Sequence, residues 1–125
     1  MSLKSFLLIL VSAATATTSM ALFKKVLQGS YGWKGSFWQF LQDTLALLGK
    51  PLFLLACFLF VTSNLVWLIV LATQKLSMAY PIQIGLVFIM TGLVSAIVFS
   101  ESISLRSYVG YLLLIVGVSL VSLGR

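Results

Sequence analysis

Ser12, Thr15 and Ser19 recur at i, i+3 and i+7 within Ser12-Ala13-Ala14-Thr15-Ala16-Thr17-Thr18-Ser19, a run of small residues inside an otherwise apolar stretch. Hydroxyls so placed have two uses. They can bond back to their own helix while their small size lets a neighbour close in, or they can line a polar, water-accessible groove. Both uses stay open at this point. Asn64 and Trp67 stand one helical turn apart in a second apolar stretch, and Tyr80, Pro81 and Gln83 open a third, where Gly85, Gly92 and Ser95 follow. A lone Asn at such depth also serves as glue between helices. These neutral groups could hold a ligand, but they offer no catalysis. The chain has no histidine, one cysteine (Cys57) and two acids (Asp43 and Glu101), so nucleophilic, acid/base and metal-assisted schemes lack parts. The expectation is a protein that is not an enzyme and carries no cofactor and no metal.

The elements that must position these residues follow from charge and hydropathy. Of 125 residues, 61% are hydrophobic and 8% charged. A soluble domain of this size cannot hide so much apolar surface, and lipid is the solvent that suits it. Four apolar windows, about 6–23, 51–73, 78–100 and 105–123, hold no charged residue except Arg106 at the start of the last. A central charge costs about 2.5–3.5 kcal/mol on insertion scales, so its absence supports four membrane spans. The expected fold class is an all-α membrane protein, a single domain with both short turns joining antiparallel neighbours. Lys4, the run 6–11 and Ser19-Met20-Ala21 also read as a signal peptide. The expectation here is a retained span. The net charge of +6 comes from bases that flank apolar spans. It points to lipid head groups as partner and not to nucleic acid.

The one long connection carries turn residues and interfacial aromatics, Gly29-Ser30-Tyr31-Gly32-Trp33-Lys34-Gly35. Ser36 and Gln39 form a capping-box pair, and Gly49 and Pro51 mark a stop. Over 37–48, Phe37, Phe40, Leu41, Thr44 and Leu48 share a helical face that Gln39, Gln42 and Asp43 do not. That pattern predicts a short amphipathic helix in the membrane interface. Lys4, Lys75 and Arg125 fall on one side of the membrane, and Lys24, Lys25, Lys34, Lys50 and Arg106 on the other. The slight excess places the long loop in the cytoplasm and both termini outside.

Met78-Ala79-Tyr80-Pro81, the segment Phe99-Ser100-Glu101-Ser102-Ile103-Ser104, and Gly110 to Val118 with its Leu-Ile centre and Gly117 resemble the helix-pair signature of the drug/metabolite transporter superfamily. Four spans in a chain this short are similar to the small multidrug resistance size class. That resemblance implies a dimer, with Gly110 and Gly117 as its fourth-helix contact stripe. Two departures stand out. The multidrug members carry a carboxylate in their first helix for proton and cationic drug, and Ala16 stands at its place. Their third-helix Trp, one turn after the Tyr, is Gln83. The chain looks more like the aminoarabinose-phosphoundecaprenol flippase subunits, which lack that carboxylate and share the Ala-Tyr-Pro start and a Glu placed like Glu101.

The resemblance implies a subunit of a dimeric carrier in a bacterial inner membrane, paired with itself or with a similar four-helix chain, moving a polyprenyl-phosphate sugar. Ser12, Thr15, Ser19, Asn64, Trp67, Tyr80 and Gln83 are the expected substrate contacts. Lys24, Lys25 and Arg106 are the expected phosphate contacts, although ordinary anchoring at the interface explains the same bases. Glu101, Pro81 and Gly85 are expected to shape or gate the path, with Glu101 holding Arg106 when no ligand is bound. An exporter of cations or metabolites is one alternative. An accessory subunit of a membrane glycosyltransferase is another.

Overall fold

The structure is a computed structural model that describes residues 2–28 and 32–124. The expected turn at Gly29-Ser30-Tyr31 and the terminal Arg125 lie outside the described residues. Among the described residues, five helices follow in order: α1 (Leu3–Leu27), α2 (Phe37–Ala46), α3 (Pro51–Thr73), α4 (Leu76–Ile97) and α5 (Leu105–Leu123), with a 3-10 turn at Leu47–Gly49 after α2. Four of them, α1, α3, α4 and α5, are long and apolar enough to cross a membrane. Even the shortest, α5, reaches about 28 Å at ~1.5 Å per residue.

Local chemistry sets the ends. The Ser2, Ser36 and Ser104 hydroxyls accept the backbone N–H groups of Ser5, Gln39 and Ser107, capping α1, α2 and α5. Pro51 opens α3 in the first turn, where its missing N–H costs nothing. The end of α4 departs from expectation. The helix stops at Ile97, Ser100 adopts φ 52°, and the Glu101 N–H returns to the Ser95 carbonyl at 3.0 Å. A serine in that left-handed conformation gives no composition signal of the kind glycine gives, so the apolar window ran on to 100. Pro81 also differs from a first-turn proline. Because the Lys75 carbonyl accepts from both Met78 and Ala79, α4 begins at Leu76 and Pro81 falls inside it. The bond that the Ser77 carbonyl would take in an unbroken helix is thereby lost.

Short turns do not decide which helices pack. Although only Gln74 and Lys75 separate α3 from α4, the main contacts run from α1 to α3 and from α1 to α4, while α5 lies on α4. The reason is side-chain size. Ser5, Ser12 and Ser19 on α1, and Ala56, Ser63 and Val70 on α3, repeat every seventh residue and are all buried. Two stripes of small residues let the backbones approach. Ile9, Val70, Ala79 and Ile82 form the core where α1, α3 and α4 meet. Beyond it, large apolar side chains face outward, among them Phe58, Leu65, Leu112 and Leu113, as lipid contact requires.

The helix α2 presents two faces. Phe40, Leu41, Asp43 and Thr44 are half-buried, and Leu47 just beyond is buried. Phe37 and Leu48, expected on one face with Phe40 and Thr44, instead point outward with Trp38 and Leu45. Asp43 lies on the inner face, with Lys34 Nζ 3.3 Å from its carboxylate. The outward stripe of Phe37, Trp38, Leu45 and Leu48 is what a helix lying in the interface would give to lipid.

Candidate functional site: a polar node and a basic rim

The hydroxyls of α1 are spent on packing. Ser12 Oγ donates to the Ser63 carbonyl at 3.1 Å, and Ser63 Oγ returns a bond to the Ser12 carbonyl at 2.8 Å. Ser19 Oγ donates to the Ala56 carbonyl at 2.8 Å in the same antiparallel register. Thr15 turns back to the carbonyls of Val11 and Ser12 at 2.8 and 3.0 Å. Ser12 and Ser19 are thus sealed between α1 and α3 in this conformation, with no groove at either.

Gln83 completes a node that spans three helices. Its Nε2 donates to Ser12 Oγ at 3.0 Å. Since Ser12 gives its single hydrogen to Ser63, it can only accept from the amide, and this fixes the amide's orientation. Gln83 Oε1 is then buried with no partner, an open acceptor at the centre of the bundle. Trp67 and Tyr80 face one another across α3 and α4 with ring centroids 6.1 Å apart, Tyr80 being half exposed. Asn64 does not join them. It is exposed, and its Nδ2 donates to the Phe60 carbonyl at 2.8 Å.

A groove of about 570 Å³ runs along α4 and α5, lined by Tyr80, Pro81, Gly85, Gly110 and Gly117 among others. The glycines on its two walls differ in use. A Cβ on Gly85 would collide with the Val118 side chain, and one on Gly92 would meet the Tyr111 ring at 2.8 Å, so both let α5 lie close to α4. Nothing lies within 4 Å of a Cβ built on Gly110 or Gly117.

Charge gathers at the end of the bundle where α1 finishes and α5 begins. Lys24, in the last turn of α1, forms an ion pair with Glu101 in the link from α4 to α5. Its Nζ also sits 4.7 Å from the centroid of the Phe99 ring. Glu101 therefore pairs with Lys24, and not with Arg106 as sequence proximity suggested. The α4 turn aims it toward α1. Among the described residues, Lys25, Lys50 and Arg106 have no ion-pair partner, and Lys25 and Arg106 are exposed.

Sequence reasoning missed two members of these sites. Ser63 was overshadowed by its neighbour Asn64, yet the spacing of Ala56, Ser63 and Val70 in a span of large residues marks the seam. Phe99 gave no signal, because its role depends on a lysine far away in sequence.

Four membrane-length helices that bury little of themselves and expose apolar side chains outward define a multi-pass membrane protein. Residues 8–122 match the family described as "Putative transmembrane family 234", and the chain belongs to that family. It is also 42% identical over 73 residues to a protein of Enterobacter sp. (strain 638) named as a probable 4-amino-4-deoxy-L-arabinose-phosphoundecaprenol flippase subunit, ArnE. The match covers 58% of this chain and 63% of that protein, so the chain spans less than two thirds of the relative's length. No solved structure matches. The resemblance to the flippase subunits, drawn from the Ala-Tyr-Pro start and Glu101, is borne out by this relative.

Proposed function

We propose that this chain is one subunit of a dimeric carrier in a bacterial inner membrane that moves a polyprenyl-phosphate sugar between leaflets. The observation that carries the reading is the basic rim: Lys24, Lys25 and Arg106 gather at one end of a bundle whose four apolar windows hold no other charge, with one acid, Glu101, among them. A lipid phosphate docked there makes charge-assisted bonds in a partly dehydrated setting, where they are strongest. Its polyprenyl tail stays in the bilayer against outward side chains such as Leu112 and Leu113. Trp67, Tyr80 and the open acceptor Gln83 Oε1 provide aromatic bodies and polar atoms for the sugar as it passes. A second four-helix subunit seated on the Gly110–Gly117 face would border Tyr80 and close the groove into a path.

In this reading the rim faces the cytoplasm and both termini face outward. The absence of a carboxylate from every span supports a carrier of lipid rather than a proton-coupled exporter of cations, since proton and drug would have no shared group to compete for. The test is reconstitution in liposomes, alone and with a similar four-helix subunit, using a fluorescent lipid-linked aminosugar. Transfer between leaflets is expected with at least one of the two arrangements. Failure of both, together with proton-driven efflux of a quaternary ammonium dye, would replace this reading with the multidrug one.

A further inference from the structure

Both acids of the chain lie at the basic end, and each is held by a lysine: Asp43 by Lys34 and Glu101 by Lys24. The two pairs differ in setting. Lys34 precedes α2 and pairs with Asp43 within it, whereas Lys24 and Glu101 join the end of α1 to the link between α4 and α5. We propose that Glu101 occupies, in the empty protein, the place that a lipid phosphate takes on Lys24, so that its carboxylate sets how tightly phosphate lipids bind. The proposal rests on the reading of the rim as a phosphate site.

Three observations support an exchangeable partner. The side chains of Lys24 and Glu101 are 44% and 42% exposed, so an anion can reach the pair from outside. Glu101 leaves from a non-helical link whose backbone is held independently, by the turn at Ser100 and the bond from the Glu101 N–H to Ser95, so the side chain can swing without moving a helix. Lys24 keeps a second partner, the face of Phe99, which stabilises the ammonium in place when the carboxylate departs. An ammonium carries three hydrogens in a compact charge, and a phosphate offers it more acceptor oxygens than the carboxylate does. Two anions cannot crowd one lysine without repulsion, so phosphate and Glu101 exclude each other. Glu101 then acts as a filter: neutral lipids leave the pair closed, and only an anionic head group opens it.

The experiment measures binding of undecaprenyl phosphate to the full chain in phosphatidylcholine nanodiscs by native mass spectrometry. Glu101→Gln should bind about twofold to fivefold tighter, the size expected for release of a half-exposed ion pair. Glu101→Asp, with a shorter reach, should fall between. In a Lys24→Gln background, the Glu101→Gln change should bring no gain, because the competition has lost its object. Undecaprenol without phosphate should bind all variants alike. Equal affinity of Glu101→Gln and the parent would overturn the proposal. So would a gain that persists without Lys24, since that would be a general field effect. A phosphatidylglycerol arm separates the two levels of the argument. If Glu101→Gln strengthens phosphatidylglycerol as much as undecaprenyl phosphate, the exchange at Lys24 stands and the lipid-linked sugar reading falls.

Discussion

Helices α1 and α5 carry the same sequence device and use it in opposite ways. Each repeats small residues at seven-residue intervals, Ser5, Ser12 and Ser19 in one, Gly110 and Gly117 in the other. On α1 every member of the stripe is buried, and Ser12 and Ser19 bond across to α3. On α5 no residue is buried, and the glycine stripe faces an open groove. A stripe of small residues therefore announces that something approaches the helix, and hydroxyls or glycines say how. Hydroxyls suit a permanent neighbour in the same chain, to which they can bond. Bare glycines suit a backbone that arrives from elsewhere.

That contrast can be broken most forcefully at Gly85 of α4, which faces the covered side of α5. Gly85→Leu drives a side chain into Val118 and should force α5 off α4. Overpacking of this kind costs about 1–3 kcal/mol or more, and unfolding in mixed detergent should shift accordingly. The open stripe should respond differently. A Cβ at Gly110 or Gly117 has nothing within 4 Å inside the chain, so in Gly110→Leu or Gly117→Leu the unfolding midpoint of the monomer should hold while crosslinking of a dimer is lost. A destabilised monomer in those variants would mean that the α5 stripe also serves internal packing. Persistent crosslinking in both would move the interface elsewhere.

A smaller effect is expected at the polar node. Ser12→Ala removes the donor to the Ser63 carbonyl and the acceptor for Gln83, leaving the whole Gln83 amide without a partner. Hydrogen bonds between membrane helices are worth about 0.6–2 kcal/mol, which sets the size of the loss. The smallest effect should be that of Ser119→Ala on α5, whose exposed hydroxyl donates to the Ile115 carbonyl of its own helix. A change beyond about 0.5 kcal/mol there would contradict the assignment of α5 as an outward helix.

The four membrane helices and the short α2 were legible because charges are absent from long windows and because Ser36, Gly49 and Pro51 punctuate the chain. What escaped depends on distance and on backbone choice. The partner of Glu101 is a lysine three elements earlier, and no local pattern connects them. The end of α4 hinges on a serine in a conformation that sequence composition assigns to glycine. On α2, Phe37 and Leu48 turn outward while Leu47 is buried and Asp43 pairs with Lys34, an arrangement that a helical wheel does not contain. Of the candidate site, the basic rim was visible as charge at span ends. The closure of Ser12 and Ser19 was one of two readings, and only their partners across the seam, Ser63 and the Ala56 carbonyl, decided it.

Arg106 gives the most direct test of the carrier account, because it is exposed, opens α5 and has no ion-pair partner among the described residues. In liposomes where a topology reporter establishes correct orientation, transfer of a fluorescent lipid-linked aminosugar should be lost in Arg106→Gln, while insertion and dimer crosslinking persist. Lys24→Gln with Lys25→Gln should slow it as well. Undiminished transfer by the triple variant, correctly oriented, would contradict the account and leave these bases as anchors of helix ends.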